Sequence, residues 1–172
     1  MMRGMKLNEA LLGIIRHCQC AGELIVEEER GEFSVTVHGI LKGLDVNTYI
    51  NGQWVHISGS RINDGIYKLG EGYEGAYPLL NGTDDEPVVN GAEAFEGIIR
   101  WLRIEPSMIT LARDVMEFSA GSGKETGYAS ESVLGVHSWT KATDNNNMPI
   151  TWQTAFSGRL RPYTRLFEAV RL

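Results

Sequence analysis

The chain has 172 residues, 42% of them hydrophobic, which suits one domain with a moderate core that needs neither metal nor disulfide support. Its 16 Lys and Arg against 22 Asp and Glu leave a net charge of −6, which argues against a surface built to wrap nucleic-acid phosphates. Cys18 and Cys20 are the only cysteines, one residue apart, so no disulfide framework is expected and the chain reads as reduced and made in a cytosol.

The apolar stretch Ala10 to Ile15 is interrupted by Gly13 and followed by Arg16, too short for a membrane span and too poor for a signal peptide. A soluble protein that is not exported is expected. Leu7, Leu11, Ile14, Ile15 and Cys18 recur at helical spacing, which predicts an amphipathic helix over Leu7 to Gln19 with Asn8 as its cap. From Gly22 the texture turns to β. Leu24 to Val26, a charged turn through Glu27 to Gly31, and alternating Phe33, Val35 and Val37 predict a hairpin. Trp54, Val55 and Ile57 follow the Asn51-Gly52 turn signal, and a turn at Asn63, Asp64 and Gly65 leads into Ile66 to Leu69, with Gly65 expected at positive φ.

Gly70 to Gly91 reads as a surface connection with short strands at most, around Tyr77 to Leu80 and at Val88-Val89. The expected β module therefore spans about 24–80, or 24–90 with this connection, as a small sheet or incomplete barrel. Phe95 to Leu102 fits a strand or a helical turn. Pro106 suits a first helical turn, and Met108, Leu111, Ala112, Val115 and Met116 predict a helix to about Phe118.

The segment 127–149 is polar, long and weakly periodic, which predicts a projecting arm that a partner orders. Thr151 then caps a last helix with Trp152, Ala155, Phe156 and Leu160 along one face, ended by Pro162. A basic tail, 161–172, follows. Pro149 to Leu172 holds Arg159, Arg161, Arg165 and Arg171 against Glu168, net +3, which leaves −9 on the rest of the chain. The expected fold is α+β: one domain in which the β module packs with an N-terminal helix and two C-terminal helices, and the arm lies between the last two.

Motifs for chemistry are incomplete. Ala120 to Thr126 imitates a phosphate loop, but Phe118 stands where a glycine is required and Glu125 where a magnesium-binding hydroxyl is required. His17, Cys18 and Cys20 lack a second ligand cluster, so core or half-buried helix positions are expected for them. His38, His56 and His137 have no nucleophile elbow, and the runs Glu27 to Glu29 and Asp84 to Glu86 read as solvated turns rather than calcium ligands. A non-enzymatic protein without cofactor or metal is expected.

Two blocks carry a resemblance. The first is Gly52-Gln53-Trp54-Val55-His56-Ile57-Ser58-Gly59-Ser60-Arg61-Ile62-Asn63-Asp64-Gly65-Ile66-Tyr67. The second runs from Ser130-Glu131-Ser132 through Gly135-Val136-His137-Ser138-Trp139-Thr140-Lys141-Ala142-Thr143 to Thr151-Trp152-Gln153-Thr154-Ala155-Phe156, then Arg159-Leu160 and Tyr163. Phe95-Glu96-Gly97 and the helix opened by Pro106 fall between them in order. The chain thus resembles, from about Gly52 to Tyr163, the head-tail connector or head-completion (neck adaptor) proteins of tailed bacteriophages. It departs from that pattern after Ser-Glu-Ser, where aromatic residues are commoner and Val133, Leu134 and Val136 stand here.

The resemblance implies a structural virion protein of the neck, made in the host bacterial cytoplasm. It would form a ring, a dodecamer, below the portal protein and take part in genome ejection. Its other partners would be stopper or tail-terminator proteins, genomic DNA would pass through the lumen without sequence-specific binding, and no membrane would be involved. A stopper or tail-completion role in the same neck is the alternative. An acidic body suits a channel through which DNA slides.

A ring needs two unlike surfaces on each copy, and the arm and the basic tail supply candidates. These are Val133, Leu134, Val136, His137 and Trp139 on the arm. On the tail they are Arg159, Arg161, Tyr163, Arg165 and Phe167. Rival readings are a small hydrolase using His56 or His137, and a β module that binds a peptide or ligand on its Trp54 to Tyr67 face.

Overall fold

In the computed structural model the described residues are 5–45, 52–72, 74–84, 86–122, 128–133, 137–141 and 151–164, with backbone alone described at 121–122, 128–133 and 137–141. Helices are combined with a closed antiparallel barrel of six strands, a mixed α+β fold. The barrel strands are β1 (Ile25–Val35), β2 (Ile40–Lys42), β3 (Trp54–Ser58), β4 (Gly65–Leu69), β5 (Ala76–Leu80) and β6 (Glu93–Leu102), in the spatial order β1-β2-β5-β4-β3-β6.

Period-two alternation explains which side chains fill the barrel. Val55 and Ile57 on β3, Tyr67 and Leu69 on β4, and Ile99 and Trp101 on β6 point into one core. Their neighbours Trp54, Ile66 and Leu102 point outward into a second core shared with the helices. Two-sided burial of β3, β4 and β6 is what holds the helical layer against the barrel.

Two expectations for the β region change. The sequence suggests a hairpin turning at Glu27 to Gly31, but these residues continue β1, pairing with Trp101 to Gly97 of β6. Glu27 and Glu28 face solvent, so a ladder partner on β6 tolerates charges that imitate a turn. The β module also extends beyond 80 or 90, because β6 closes the barrel between β1 and β3. Val88 and Val89 form no strand, although Pro87 bridges to Leu80.

Gly65 opens β4 at the positive φ expected from the sequence, 158°, but it pairs with Ile57 as a strand residue rather than sitting within the turn. The left-handed glycine of this connection is Gly59, at φ 96°, where a Cβ would lie 3.0 Å from the Glu96 carbonyl oxygen and the Gly97 Cα.

Helix α1 (Leu7–Cys18) buries Leu7, Leu11, Ile14, Ile15 and Cys18, the stripe read from the sequence. Its cap is Lys6 rather than Asn8: the Lys6 backbone N–H donates to Glu9 at 2.9 Å. Asn8 lies within the first turn, and its backbone N–H donates to the Asn81 carbonyl at 2.9 Å. A single turn, α2 (Ala21–Leu24), leads into β1.

Helix α3 (Pro106–Glu117) starts with proline in its first turn, buries Met108, Leu111, Ala112 and Val115, and joins α1 in the outer core. A π-helical turn, Phe118–Ser122, ends it.

Strands β7 (Tyr128–Val133) and β8 (His137–Lys141) pair antiparallel as a separate two-stranded sheet. The final helix expected from Thr151 divides into α4 (Trp152–Ala155) and α5 (Ser157–Leu160), followed by a 3-10 turn, Arg161–Tyr163. Ser157 and Gly158 are weak helix formers at the division. Thr151 does cap α4, its hydroxyl accepting from the Thr154 N–H at 3.4 Å.

Candidate functional site

The first sequence block folds into β3, the loop of residues 59–64, and β4. That loop closes around the carboxylate of Glu93, the first residue of β6. Ser60 Oγ donates to it at 2.5 Å, the backbone N–H groups of Arg61 and Ile62 at 2.8 and 3.1 Å, and Asn63 Nδ2 at 3.3 Å. Asp64 accepts from the Ser60 N–H at 2.8 Å, and Ser60 Oγ accepts from the Asn63 N–H at 2.7 Å. The Ser60 hydroxyl, followed by these backbone donors, pulls the Glu93 carboxyl down to about 2. Asn63 and Asp64 therefore do shape the connection, but the anion held there comes from Glu93, 30 positions after Asn63.

A groove of about 420 Å³ lies on the outer side of the barrel beside α1. Leu12 and Ile15 of α1, Ile25 of β1, Ile66 of β4 and Leu102 of β6 line it, together with Ala21 and Gln19. Its polar lining is basic: Arg16, His56 and Arg100. Arg100 is held from two sides, Nε donating to Glu28 Oε2 at 2.9 Å and Nη1 to Ser58 Oγ at 2.7 Å. His56 is half-buried, and burial, then the Arg100 charge, push its imidazole below the usual value. His56 thus shares the rim with two guanidinium groups, while the Asp64 carboxylate acts on it in the opposite sense.

The candidate interface residues are divided by the fold. Arg159 on α5 pairs with Asp114 of α3 and lies 5.7 Å from the centre of the Phe156 ring. Tyr163 donates its hydroxyl hydrogen to Ser107 Oγ at 2.6 Å. Both side chains thus help dock the 151–164 segment on α3, while Arg161 is exposed. Val133, His137 and Trp139 lie on the β7–β8 hairpin, where Val133 pairs with His137 and Glu131 with Trp139 along the backbone. Leu134, Val136, Arg165 and Phe167 lie outside the described residues, as do 123–126 of the phosphate-loop imitation and the remainder of the arm.

Cys18 and Cys20 are both buried core thiols, as expected from the sequence, and burial pushes Cys20 up to about 11. His17 is exposed and meets the Trp152 ring edge-on at 5.6 Å. Among the described residues no three His, Cys, Asp or Glu side chains gather as a metal site, and no helix is long and apolar enough to cross a membrane.

The sequence reading missed the basic groove and the Glu93 clamp. Arg16, His56 and Arg100 are separated by 40 and 44 positions, and only the β3–β6 pairing that sets His56 opposite Arg100 brings two of them together. No protein-family model matches the chain, and no curated protein matches it in sequence.

Proposed function

We propose that the chain is a structural protein of a tailed-phage neck, a ring-forming adaptor between head and tail that docks below the portal and lines part of the DNA channel. The observation that carries this reading is the ordered pair of sequence blocks. The first coincides with β3, the 59–64 loop and β4, and the second begins on the β7–β8 hairpin and continues through α4 and α5. A closed barrel with a second, two-stranded sheet outside it supports a subunit that carries one surface for itself and another for a neighbour.

In this reading, α1, α3 and the 151–163 helical turns form a layer outside the barrel, and 127–149 projects as the arm. Ring copies, the portal and stopper or tail-terminator proteins are the partners; a stopper or tail-completion role differs only in the position along the neck. The role is non-enzymatic, and the protein resides in the virion. The test is electron microscopy and sedimentation of the full chain, alone and with a tailed-phage portal protein. Closed rings, free or seated on the portal, are expected. A chain that stays monomeric in both conditions overturns the proposal.

A further inference from the structure

The groove beside α1 has a chemistry that the neck reading does not use. Its floor is aliphatic, formed by Leu12, Ile15, Ile25, Ile66 and Leu102, and its volume of about 420 Å³ is that of a small-ligand site. Its rim holds Arg16, His56 and Arg100, and its lining includes no Asp or Glu.

Three basic side chains share this rim on a chain whose net charge is −6, with Glu28 paired to Arg100 and Asp64 acting on His56 from beside it. Glu28 is shared by Arg30 and Arg100, so one carboxylate serves two guanidinium groups. Arg100 commits Nε to Glu28 and Nη1 to Ser58, two of the five N–H donors of a guanidinium, which leaves donors for a further acceptor. Arg16 is exposed in the last turn of α1 and adds a second guanidinium.

We propose that this groove binds an aliphatic carboxylate of medium chain length, its hydrocarbon on the Leu12, Ile66 and Leu102 floor and its carboxylate between Arg16, His56 and Arg100. The apolar body gains burial, and the head group gains charge-assisted hydrogen bonds, stronger than those a neutral hydroxyl would make. An alkylammonium of the same length meets like charge at the rim. The inference is independent of the neck reading, since the groove belongs to a single copy.

The probe is sodium octanoate, below its aggregation concentration, titrated into the full chain and followed by amide and side-chain NMR shifts, with octan-1-ol and octylammonium in parallel. Saturable shifts centred on Leu12, His56 and Ile66 are expected, with octanoate at least about fivefold tighter than either comparator. Arg16→Gln, at an exposed position, is expected to weaken octanoate about threefold to tenfold and to leave octan-1-ol unchanged. Ala21→Trp is expected to plug the groove and remove binding of both. Equal affinity for octanoate and octan-1-ol, saturable shifts elsewhere, no saturable binding, or an Arg16→Gln protein with native spectrum and undiminished octanoate affinity each overturns the proposal. If Ala21→Trp fails to fold, the Arg16→Gln comparison decides.

Discussion

In the barrel every strand has a neighbour on the next, and Val55, Ile57, Tyr67, Leu69, Ile99 and Trp101 close a core inside it. The β7–β8 hairpin is antiparallel too, but it is a sheet of two strands that no other described strand joins. An isolated two-stranded hairpin is marginal in water, because it satisfies a ladder without burying a core. The contrast teaches that similar backbone pairing carries different weight: in the barrel it closes around a shared core, while no other described strand pairs with either edge of the hairpin.

The largest effect that sharpens this contrast is expected inside the barrel. Trp101 is 1% exposed and is the largest fully buried side chain among the described residues. Trp101→Ala should cost about 3–5 kcal/mol through the lost burial and the residual cavity. Chemical denaturation measures it; a loss below about 1 kcal/mol would show that the barrel interior is not the stabilising core.

A smaller effect separates Gly59 from Gly65 in the first block. Gly59→Val forces a β-branched residue into left-handed backbone against the Glu96 carbonyl, at a cost of about 2 kcal/mol or more. Gly65→Val puts a side chain at φ 158°, where L residues are strained but nearer to extended backbone than at Gly59, and crowds the Tyr67 hydroxyl, 3.2 Å from the new Cβ, which accepts from Asn90 Nδ2 at 3.0 Å. Its cost should be about 1 kcal/mol and should shrink in a Tyr67→Phe background. Equal losses at both positions would contradict this assignment of the turn.

Acid sensitivity should come from the clamp that ties the 59–64 loop to β6. The folded pKa of Glu93 is depressed from 4.5 to about 2, so its contribution is fully present above the unfolded value. That contribution is lost as pH falls through the range down to about 2. Glu93→Gln should therefore flatten the dependence of stability on pH over that window and lower stability near neutrality. A variant with the parental acid profile would assign the dependence to other carboxylates.

Legibility in the sequence follows how many faces an element buries. α1 and α3 bury one stripe each, and the sequence placed them nearly where they lie, while β4, buried on both faces, was legible from the Asn63-Asp64-Gly65 signal before it. β6 buries Ile99 and Trp101 inward and Leu102 outward, which erases the alternation that would distinguish a strand from a helical turn. β1 was hidden by Glu27 to Gly31, whose composition matches a turn and whose strand state depends on a partner nearly 70 residues away. The basic groove and the Glu93 clamp are assembled by long-range pairing, so no local spacing announces either.

The smallest expected effect on stability is also the sharpest test of the contrast. Deleting Ser130 to Asn147 removes most of β7 and all of β8, strands that pair only with each other among the described elements. The barrel ladders and the described members of both buried cores lie outside the deletion, so the denaturation midpoint should move by less than about 0.5 kcal/mol equivalent. Assembly should respond in the opposite sense: if the hairpin presents its edges to a neighbour, rings or portal-bound complexes should be lost while the monomer remains folded. Denaturation and sedimentation of one preparation read both quantities. A monomer that unfolds places the hairpin among the stabilising elements, and rings that form normally make it dispensable for assembly, so either result removes the division of labour between barrel and hairpin.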